Sequence, residues 1–171
     1  LRLLFARIGF QKCYKCNQSI VKQTPQQIVD QIRRLPNKSK LYILAPVVKM
    51  KKGTHKDLLK NLLKEGFLRV NINNKIHDLT NLINLNKNKK HTIEIVIDRI
   101  VLTKSIGDRL TQSIELALKV SNGLVMIQHE GKQYIYNQNL SCIKCDISFE
   151  QLEPRFFSFN SPIGACNKCN G

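Results

Sequence analysis

The sequence predicts an α+β or mixed α/β domain over about residues 24–137, with a pair of cysteines on each side of it. Three observations support this fold class. Segments with a helical spacing of apolar residues alternate with β-branched runs in the order α-β-α-β-β-β-α-β-β, which is typical of layered α and β structures. C-x-x-C pairs lie at 13–16 and 142–145, directly before and after these segments. The chain has 171 residues and is 42% apolar, which suffices for a hydrophobic core.

The first predicted element of this domain is a helix that begins after Thr24. The side chain of Thr24 can cap the helix, Pro25 suits its first position, and Gln27 stands where a capping-box residue reaches back. The apolar residues that follow place one face of the helix towards a core. They are Ile28, Val29, Ile32 and Leu35.

A buried strand and a second helix come next. The run LYILAPVV, at 41–48, predicts a strand that ends or bulges at Pro46, because proline cannot donate a hydrogen bond to the sheet. The segment 55–66 carries leucines at helical spacing, and Gly66 is suited to end that helix.

The remaining elements are two hairpins, a central strand and a third helix. The run TIEIVIDRIVL, at 92–102, is the longest β-branched stretch and the best candidate for the central strand. The others are a hairpin of 67–72 and 75–79 across Asn73-Asn74, a helix from Asp108 to Val120, and a hairpin of 123–128 and 132–137 across Glu130-Gly131.

The charge of the chain is strongly positive. Lys plus Arg number 28 and Asp plus Glu number 12, which gives +16. Such a surplus favours an anionic partner, either nucleic acid or an acidic protein surface. An AT-rich genome, which overuses lysine, asparagine and isoleucine, is an alternative explanation. Dense basic runs occur only at KMKK (49–52) and KNKK (87–90), so the charge indicates a class of partner and no more.

Several functional classes are excluded by what the sequence lacks. It has no run of about 18 to 20 apolar residues that could form a membrane helix, so no membrane partner is expected. The first residues, LRLLFARIGF, contain two arginines and no small-residue cleavage site, which is unlike a signal peptide. They begin in the middle of a pattern, and we interpret the chain as part of a longer protein. There is no phosphate-binding loop, no G-x-S-x-G and no H-E-x-x-H, so we predict no catalytic residues in this chain.

The six cysteines form three C-x-x-C pairs, which are Cys13/Cys16, Cys142/Cys145 and Cys166/Cys169. Without a secretory signal, thiols at this spacing predict metal ligands before disulfides. Two intervening residues let both sulfurs of a pair reach one tetrahedral Zn2+ at about 2.3 Å. A thioredoxin-like redox pair is the rival interpretation, although three copies would be unusual.

Spacing leaves two pairings of the thiols open. In the first, one zinc joins the pairs at 13–16 and 142–145, because the two ends of an inserted compact domain usually lie close together. In the second, the pairs at 142–145 and 166–169 form a local C-x2-C-x20-C-x2-C site, a spacing common in zinc fingers. A closed site with four thiolates leaves no open coordination position, which argues against a catalytic zinc.

The final stretch, LEPRFFSFNSPIGACNKCNG, resembles the UvrA family, the damage-recognition ATPase subunits of bacterial UvrABC excinucleases. The resemblance extends through LRLLFARIG, LAPVVKMKKGTHKDLL, KNKKHTIEIVIDRIV and RLTQSIELAL, and so covers essentially the whole chain. It implies a piece of the first half of an ABC-type ATPase that carries an inserted UvrB-binding domain. The implied division is 1–23 for the end of the preceding ATPase segment with the first C-x-x-C, 24–138 for the UvrB-binding domain, and 139–171 for the zinc-binding segment that returns to the ATPase half.

The resemblance implies a role in DNA damage recognition, nucleotide excision repair and the SOS response, in the cytoplasm. The implied partners are UvrB and, for the intact protein, DNA and a second copy that binds through the ATPase halves. The Walker and signature motifs of the family are absent from the sequence. ATP is therefore expected only in the intact protein, and the chain is expected to be inactive alone. A stand-alone zinc-ribbon protein that binds nucleic acid is the alternative.

The resemblance also implies a choice between the two zinc pairings. In the second half of the family, a G-x-C-x-x-C like that around Cys166 pairs with a C-x-x-C further downstream. By analogy, Cys166 and Cys169 hold a second zinc with ligands outside the chain. Cys142 and Cys145 then share the first zinc with the pair at 13–16, where some family members have C-x-x-H.

Two arginines correspond to positions that are important for UvrB contact in the family, namely Arg69 in GFLRVNI and Arg99 in VIDRIVL. Arg69 alternates with Leu68 and Val70, and we expect it to point away from the face that those two residues bury. Arg99 lies in an otherwise apolar strand, where a charge must reach solvent or a partner. The hypothesis is that both arginines lie on one exposed surface and dock acidic residues of UvrB.

Overall fold

A computed structural model describes residues 1–103, 105–142, 144–145, 147–149, 151–161, 163–165 and 168–169. The chain divides into two compact units. We call Gln23–Gln138 the inner unit, and Leu1–Lys22 together with Asn139–Gly171 the flanking unit. None of the described helices is long and apolar enough to cross a membrane.

The inner unit is built on an antiparallel sheet of six strands in the order β3-β2-β4-β1-β5-β6. The strands are β1 (Lys40–Lys52), β2 (Arg69–Ile72), β3 (Lys75–Asp78), β4 (Lys90–Val101), β5 (Leu124–His129) and β6 (Lys132–Asn137). The run at 92–102 was predicted as the central strand, and β4 does lie inside the sheet, between β2 and β1. The predicted turn at Asn73-Asn74 is confirmed: both residues have positive φ, as a tight hairpin turn requires.

Strand β1 is longer and more irregular than its apolar pattern indicates. Its pairing with β4 shifts register between Pro46 and Val48 and again between Val48 and Lys51. The bulge predicted at Pro46 is therefore present, but the strand continues through the lysines to Lys52. Exposed lysines have low β propensity, so the sequence pattern gave no sign of this extension.

The described residues of the inner unit form three helices: α2 (Pro25–Arg33), α3 (Lys56–Lys64) and α4 (Gly107–Val120). The predicted capping box of α2 is confirmed, since the Gln27 N–H donates to Thr24 Oγ1 at 3.2 Å and the Thr24 N–H donates to Gln27 Oε1 at 3.0 Å. Helix α4 is tied to β4 by Arg109, which donates two hydrogen bonds to Asp98 at 2.9 and 2.7 Å. These hydrogen bonds and that of Ser113 hold the pKa of Asp98 below its usual range, although burial opposes the shift.

The helices and one face of the sheet enclose a single hydrophobic core. Alternate residues of the strands point into it, among them Leu41 and Ile43 of β1, Ile95 of β4 and Ile127 of β5. The other face, which we call the helix-free face, carries the intervening residues. Gln133 Nε2 of β6 lies 3.4 Å from Asn74 Oδ1 in the β2–β3 turn, so the two outer parts of the sheet approach each other there.

The described part of the flanking unit is small and contains little regular structure. It comprises α1 (Arg2–Ile8), the two-residue strands β7 (Ser141–Cys142) and β8 (Ile147–Ser148), and a short 3-10 helix at Pro154–Phe157. Helix α1 buries none of its residues. It meets the 3-10 helix through stacked rings of Phe5 and Phe157, whose centroids are 5.7 Å apart.

Candidate metal centre and partner surface

The first cysteine pair lies in a tight turn of the flanking unit. The N–H of Cys13 donates to the carbonyl of Gln18 at 2.9 Å, and the N–H of Asn17 donates to the carbonyl of Cys13 at 2.8 Å. Asn17 has a φ of 58°, a left-handed conformation that asparagine tolerates better than most residues do. The turn folds the chain back after two residues, so that both thiols of the pair lie on one side of it.

The second pair lies in a similar turn. Strands β7 and β8 form a minimal hairpin in which Cys142 is opposite Ile147. The hairpin is closed by the Phe149 N–H, which donates to the carbonyl of Leu140 at 2.7 Å. Cys142 is at the end of β7, and Cys145 is in the turn that follows it.

The structure brings the thiols of the two turns together. The sulfurs of Cys13, Cys16, Cys142 and Cys145 all lie within 4.8 Å of one another. Cys16 Sγ and Cys142 Sγ are 3.5 Å apart, which is too far for a disulfide. Four sulfurs bound to a tetrahedral Zn2+ at about 2.3 Å would be roughly 3.8 Å apart. The donor set and its spacing therefore fit one metal ion of the zinc type.

The electrostatics of the four thiols suit a cation. Burial acts to raise the pKa of Cys13, but the N–H groups of Cys16 and Lys15 and the nearby thiols outweigh it and lower that pKa to about 7. The thiol of Cys16, together with burial, raises the pKa of Cys145 to about 12. Cys13 therefore ionises more readily than an ordinary thiol, whereas Cys145 resists ionisation. A divalent cation removes this resistance, because thiolates are the form that binds it.

The third cysteine pair is placed differently. Cys166 lies outside the described residues, and Cys169 is exposed with a free thiol. Within the described residues, the four clustered cysteines are the only group of three or more His, Cys, Asp or Glu side chains close enough to hold a metal. The second zinc expected at Cys166 and Cys169 stays a prediction.

Arg69 begins β2 and is exposed. Because Val70 and Ile72 face the core, Arg69 and Asn71 face the helix-free side of the sheet. The expectation that Leu68 is buried beside Val70 is wrong: Leu68 is 61% exposed, since it precedes the strand. Arg69 is opposite Asp78 of β3, and its charge adds to the hydrogen bonds of Thr80 that lower the pKa of Asp78.

Arg99 lies in β4 opposite Tyr42 of β1, and both side chains face the helix-free side because their neighbours Leu41 and Ile100 are in the core. The guanidinium carbon of Arg99 is 6.0 Å from the centre of the Tyr42 ring, which is cation–π distance. Arg69 and Arg99 therefore share one face of the sheet.

The same face contains a polar pair that sequence reasoning missed. Glu94 and Asn71 are opposite each other on β4 and β2 and are 4% and 3% exposed. Asn71 Nδ2 donates to Glu94 Oε2 at 2.7 Å, while Asn71 Oδ1 is buried without a partner among the described residues. Burial raises the pKa of Glu94, and the hydrogen bond of Asn71 only partly offsets that effect. The one available signal was a glutamate inside the apolar run TIEIVIDRIVL.

Comparison with known protein families matches residues 23–131 to the UvrA interaction domain. These residues lie within the inner unit, which spans Gln23–Gln138. The match covers more than half of the chain.

Comparison with curated proteins finds relatives that align over the whole chain. The chain is 49% identical to UvrABC system protein A of Clostridium perfringens over 173 aligned positions, 48% identical to that of Halalkalibacterium halodurans over 172, and 46% identical to that of Clostridium tetani over 173. Each alignment covers 100% of the chain and 18% of the relative. The chain thus spans about a fifth of the length of these relatives. On the domain match and on these identities together, the chain belongs to the UvrA family.

Proposed function

We propose that this chain is the UvrB-binding module of a nucleotide excision repair protein, with a structural zinc centre in its flanking unit. The observation that carries the proposal is the match of residues 23–131 to the UvrA interaction domain. The relatives are parts of the UvrABC system, which makes a UvrABC component the natural partner of such a domain. Excision repair in the cytoplasm is the proposed setting.

The metal in this proposal is zinc, held by Cys13, Cys16, Cys142 and Cys145. Four thiolates complete a tetrahedral shell and leave no open position for water or substrate, which is the pattern of structural sites. The ion would join two turns that are distant in sequence. The proposed role of the ion is therefore to stabilise the fold and not to take part in catalysis.

The partner surface in this proposal is the part of the helix-free face that carries Arg69 and Arg99. Each guanidinium can bind a carboxylate through two parallel hydrogen bonds, so acidic side chains of UvrB are its expected counterparts. The adjacent Tyr42 adds an aromatic contact, and arginine and tyrosine are the residue types that dominate binding energy at protein interfaces.

The test is to titrate UvrB against the zinc-loaded chain and its Arg69→Glu and Arg99→Glu variants. We expect each reversal to weaken binding by about 2 kcal/mol or more, because it replaces an attraction with a repulsion in a desolvated contact. That corresponds to roughly a 30-fold increase in Kd. Arg34→Glu is the matched control: it makes the same charge change at the exposed end of α2, in the helical layer. Equal affinity of all three variants for UvrB would exclude this surface.

The activities of the longer protein are a further part of the proposal. By family membership we infer ATP binding by an ABC-type ATPase, recognition of damage in DNA and homodimerisation, all of which need regions that this chain does not contain. The alternative, a stand-alone zinc-ribbon protein, predicts that the chain binds nucleic acid tightly and UvrB not at all. The same titration therefore separates the two.

A further inference from the structure

The two lysine-rich runs of the sequence, KMKK and KNKK, are neighbours in the fold. Where the end of β1 pairs with the start of β4, Lys51 is opposite His91 and Lys52 is opposite Lys90. The sheet therefore collects charges that are far apart in the chain. We call this region the lysine end, and it consists of Lys49, Lys51, Lys52, Lys56, Lys87, Lys89 and Lys90.

The KNKK segment of the lysine end is held in place by hydrogen bonds around the buried side chain of His91. His91 is 4% exposed, and its Nε2 donates to the carbonyl of Asn86 at 2.8 Å, while its Nδ1 accepts from Asn73 Nδ2 at 3.2 Å. The Asn86 side chain in turn accepts from the N–H of Asn88 at 2.9 Å. These contacts order the KNKK loop before any ligand arrives, which lowers the entropic cost of binding.

The charge of the lysine end has little local compensation. Segments 47–56 and 84–93 contain seven lysines and no Asp or Glu. Lys51, Lys52, Lys89 and Lys90 are exposed, and none of them forms a salt bridge with another described residue. The acidic residues that directly follow the two segments are Asp57, which is exposed, and Glu94, which is buried against Asn71. An anion that approaches this surface therefore meets at least the four exposed charges of Lys51, Lys52, Lys89 and Lys90.

The composition of the lysine end favours nucleic acid over an acidic protein. Lysine is depleted at protein–protein interfaces, whose binding energy comes mainly from tryptophan, tyrosine and arginine. The helix-free face has such residues in Tyr42, Arg69 and Arg99, whereas segments 47–56 and 84–93 contain no aromatic residue other than histidine and no arginine. Lysine is a compact charge that pairs with phosphates without reading bases.

We propose that the lysine end binds the phosphate backbone of duplex DNA without sequence preference. Neutralised phosphates release condensed counterions, which supplies the favourable free energy and makes the binding depend on salt. The arginines that commonly read guanine edges are absent from the lysine end, so no base specificity is expected. The surface shares no residue with the proposed UvrB contact, and either proposal can fail without the other.

The test compares two variants that each lose four positive charges. In the first, Lys51, Lys52, Lys89 and Lys90 are changed to Gln. In the control, four exposed lysines elsewhere in the inner unit are changed to Gln, namely Lys40, Lys64, Lys119 and Lys132. Binding of a short fluorescein-labelled DNA duplex to the full, zinc-loaded chain is measured by fluorescence anisotropy over a range of salt concentrations, and UvrB binding is measured on the same samples.

We expect the lysine-end variant to bind the duplex more weakly and to lose about 3 to 4 from its log–log salt slope, since each contacted phosphate contributes about 0.9. The control variant should lose much less. Equal losses in the two variants would show that diffuse charge, not the lysine end, binds DNA. Binding of a labelled polyglutamate probe is measured in the same way. If the lysine-end variant keeps its affinity for the duplex but loses its affinity for polyglutamate, the surface binds an acidic protein and the DNA proposal is wrong. The affinity for UvrB should be unchanged in both variants, because the lysine end is separate from the proposed UvrB contact. The DNA proposal can therefore be tested independently of the UvrB proposal.

Discussion

The two units of the chain are stabilised in different ways. The inner unit has a hydrophobic cluster of 22 buried residues, drawn from three helices and both long strands. Among the described residues of the flanking unit, the corresponding cluster has only three buried residues, of which Cys13 and Cys142 are two and Ile20 is the third. A unit with so small a core gains little stability from apolar burial, and a metal or disulfides commonly supply the rest. The difference supports the proposal that a metal at the four clustered thiols stabilises the flanking unit, as the hydrophobic core stabilises the inner unit.

The largest predicted effect follows from removing the metal. Chelation, or Cys142→Ser, should unfold the flanking unit and leave the inner unit folded, because binding free energies of about 10 kcal/mol or more are coupled to folding in small zinc domains. Amide hydrogen exchange should then show lost protection in the flanking unit and unchanged protection in the sheet. Bound zinc, counted by native mass spectrometry, should fall by one ion in Cys142→Ser.

Cys169→Ser is the matched control for that experiment, because Cys169 is exposed and lies apart from the four clustered thiols. It should leave the first zinc and the protection of the flanking unit unchanged. Full amide protection in the flanking unit after chelation would show that this unit does not need the metal to fold. Unfolding of the sheet together with the flanking unit would show that the stability of the inner unit also depends on the metal.

The next largest effect concerns the core of the inner unit. Ile95 is fully buried in β4, and Ile95→Ala should lower the free energy of unfolding of this unit by about 2 to 5 kcal/mol through lost burial and the cavity left behind. Urea denaturation measures the loss, and zinc content should not change. Leu82→Ala is the control: Leu82 is 88% exposed, and its removal should cost almost nothing. Zinc loss in Ile95→Ala would show that the two units do not fold independently.

Much of this difference between the units could be predicted from the sequence. The cap at Thr24 and the turn at Asn73-Asn74 could be predicted because each depends only on residues that are adjacent in the sequence. The convergence of the first two cysteine pairs was one of two open pairings, and it followed from their positions at both ends of one folded segment. The lysine end could not be predicted, because it depends on the register between β1 and β4. The same is true of the pairing of Glu94 with Asn71.

A smaller effect is expected from the buried carboxylate of the inner unit. Because burial raises the pKa of Glu94, the folded state binds its proton more tightly than the unfolded state does. The contribution of Glu94 to stability is thus fully present below the unfolded pKa of about 4.5 and is lost as the pH rises through the folded pKa. Glu94→Gln removes this dependence, and the new amide can also donate to the unpartnered Asn71 Oδ1.

We therefore expect Glu94→Gln to stabilise the inner unit by about 1 to 2 kcal/mol at neutral pH, with a smaller difference near pH 4. Urea denaturation followed through amide signals of the sheet measures this effect even when acid releases the metal from the flanking unit. Glu94→Ala is the informative control, since it leaves both polar groups of Asn71 without a partner and should destabilise. A gain from Glu94→Gln that is the same at both pH values would mean that the carboxylate does not titrate in this range.

The smallest predicted effect concerns the start of α2, where the inner unit begins. Thr24 Oγ1 accepts from the Gln27 N–H at 3.2 Å, which satisfies one of the unpaired N–H groups of the first turn. Thr24→Ala should cost the inner unit about 1 kcal/mol, whereas Thr24→Ser keeps the hydroxyl and should cost only a few tenths. Urea denaturation gives the total, and faster amide exchange should be concentrated in the first turn of α2. Both substitutions remove the methyl group of Thr24, but only Thr24→Ala removes the hydroxyl. If the two variants lower the free energy of unfolding equally, the stabilisation comes from the methyl group and not from the cap. If either variant also loses zinc, the boundary at Gln23 does not separate the core from the metal centre.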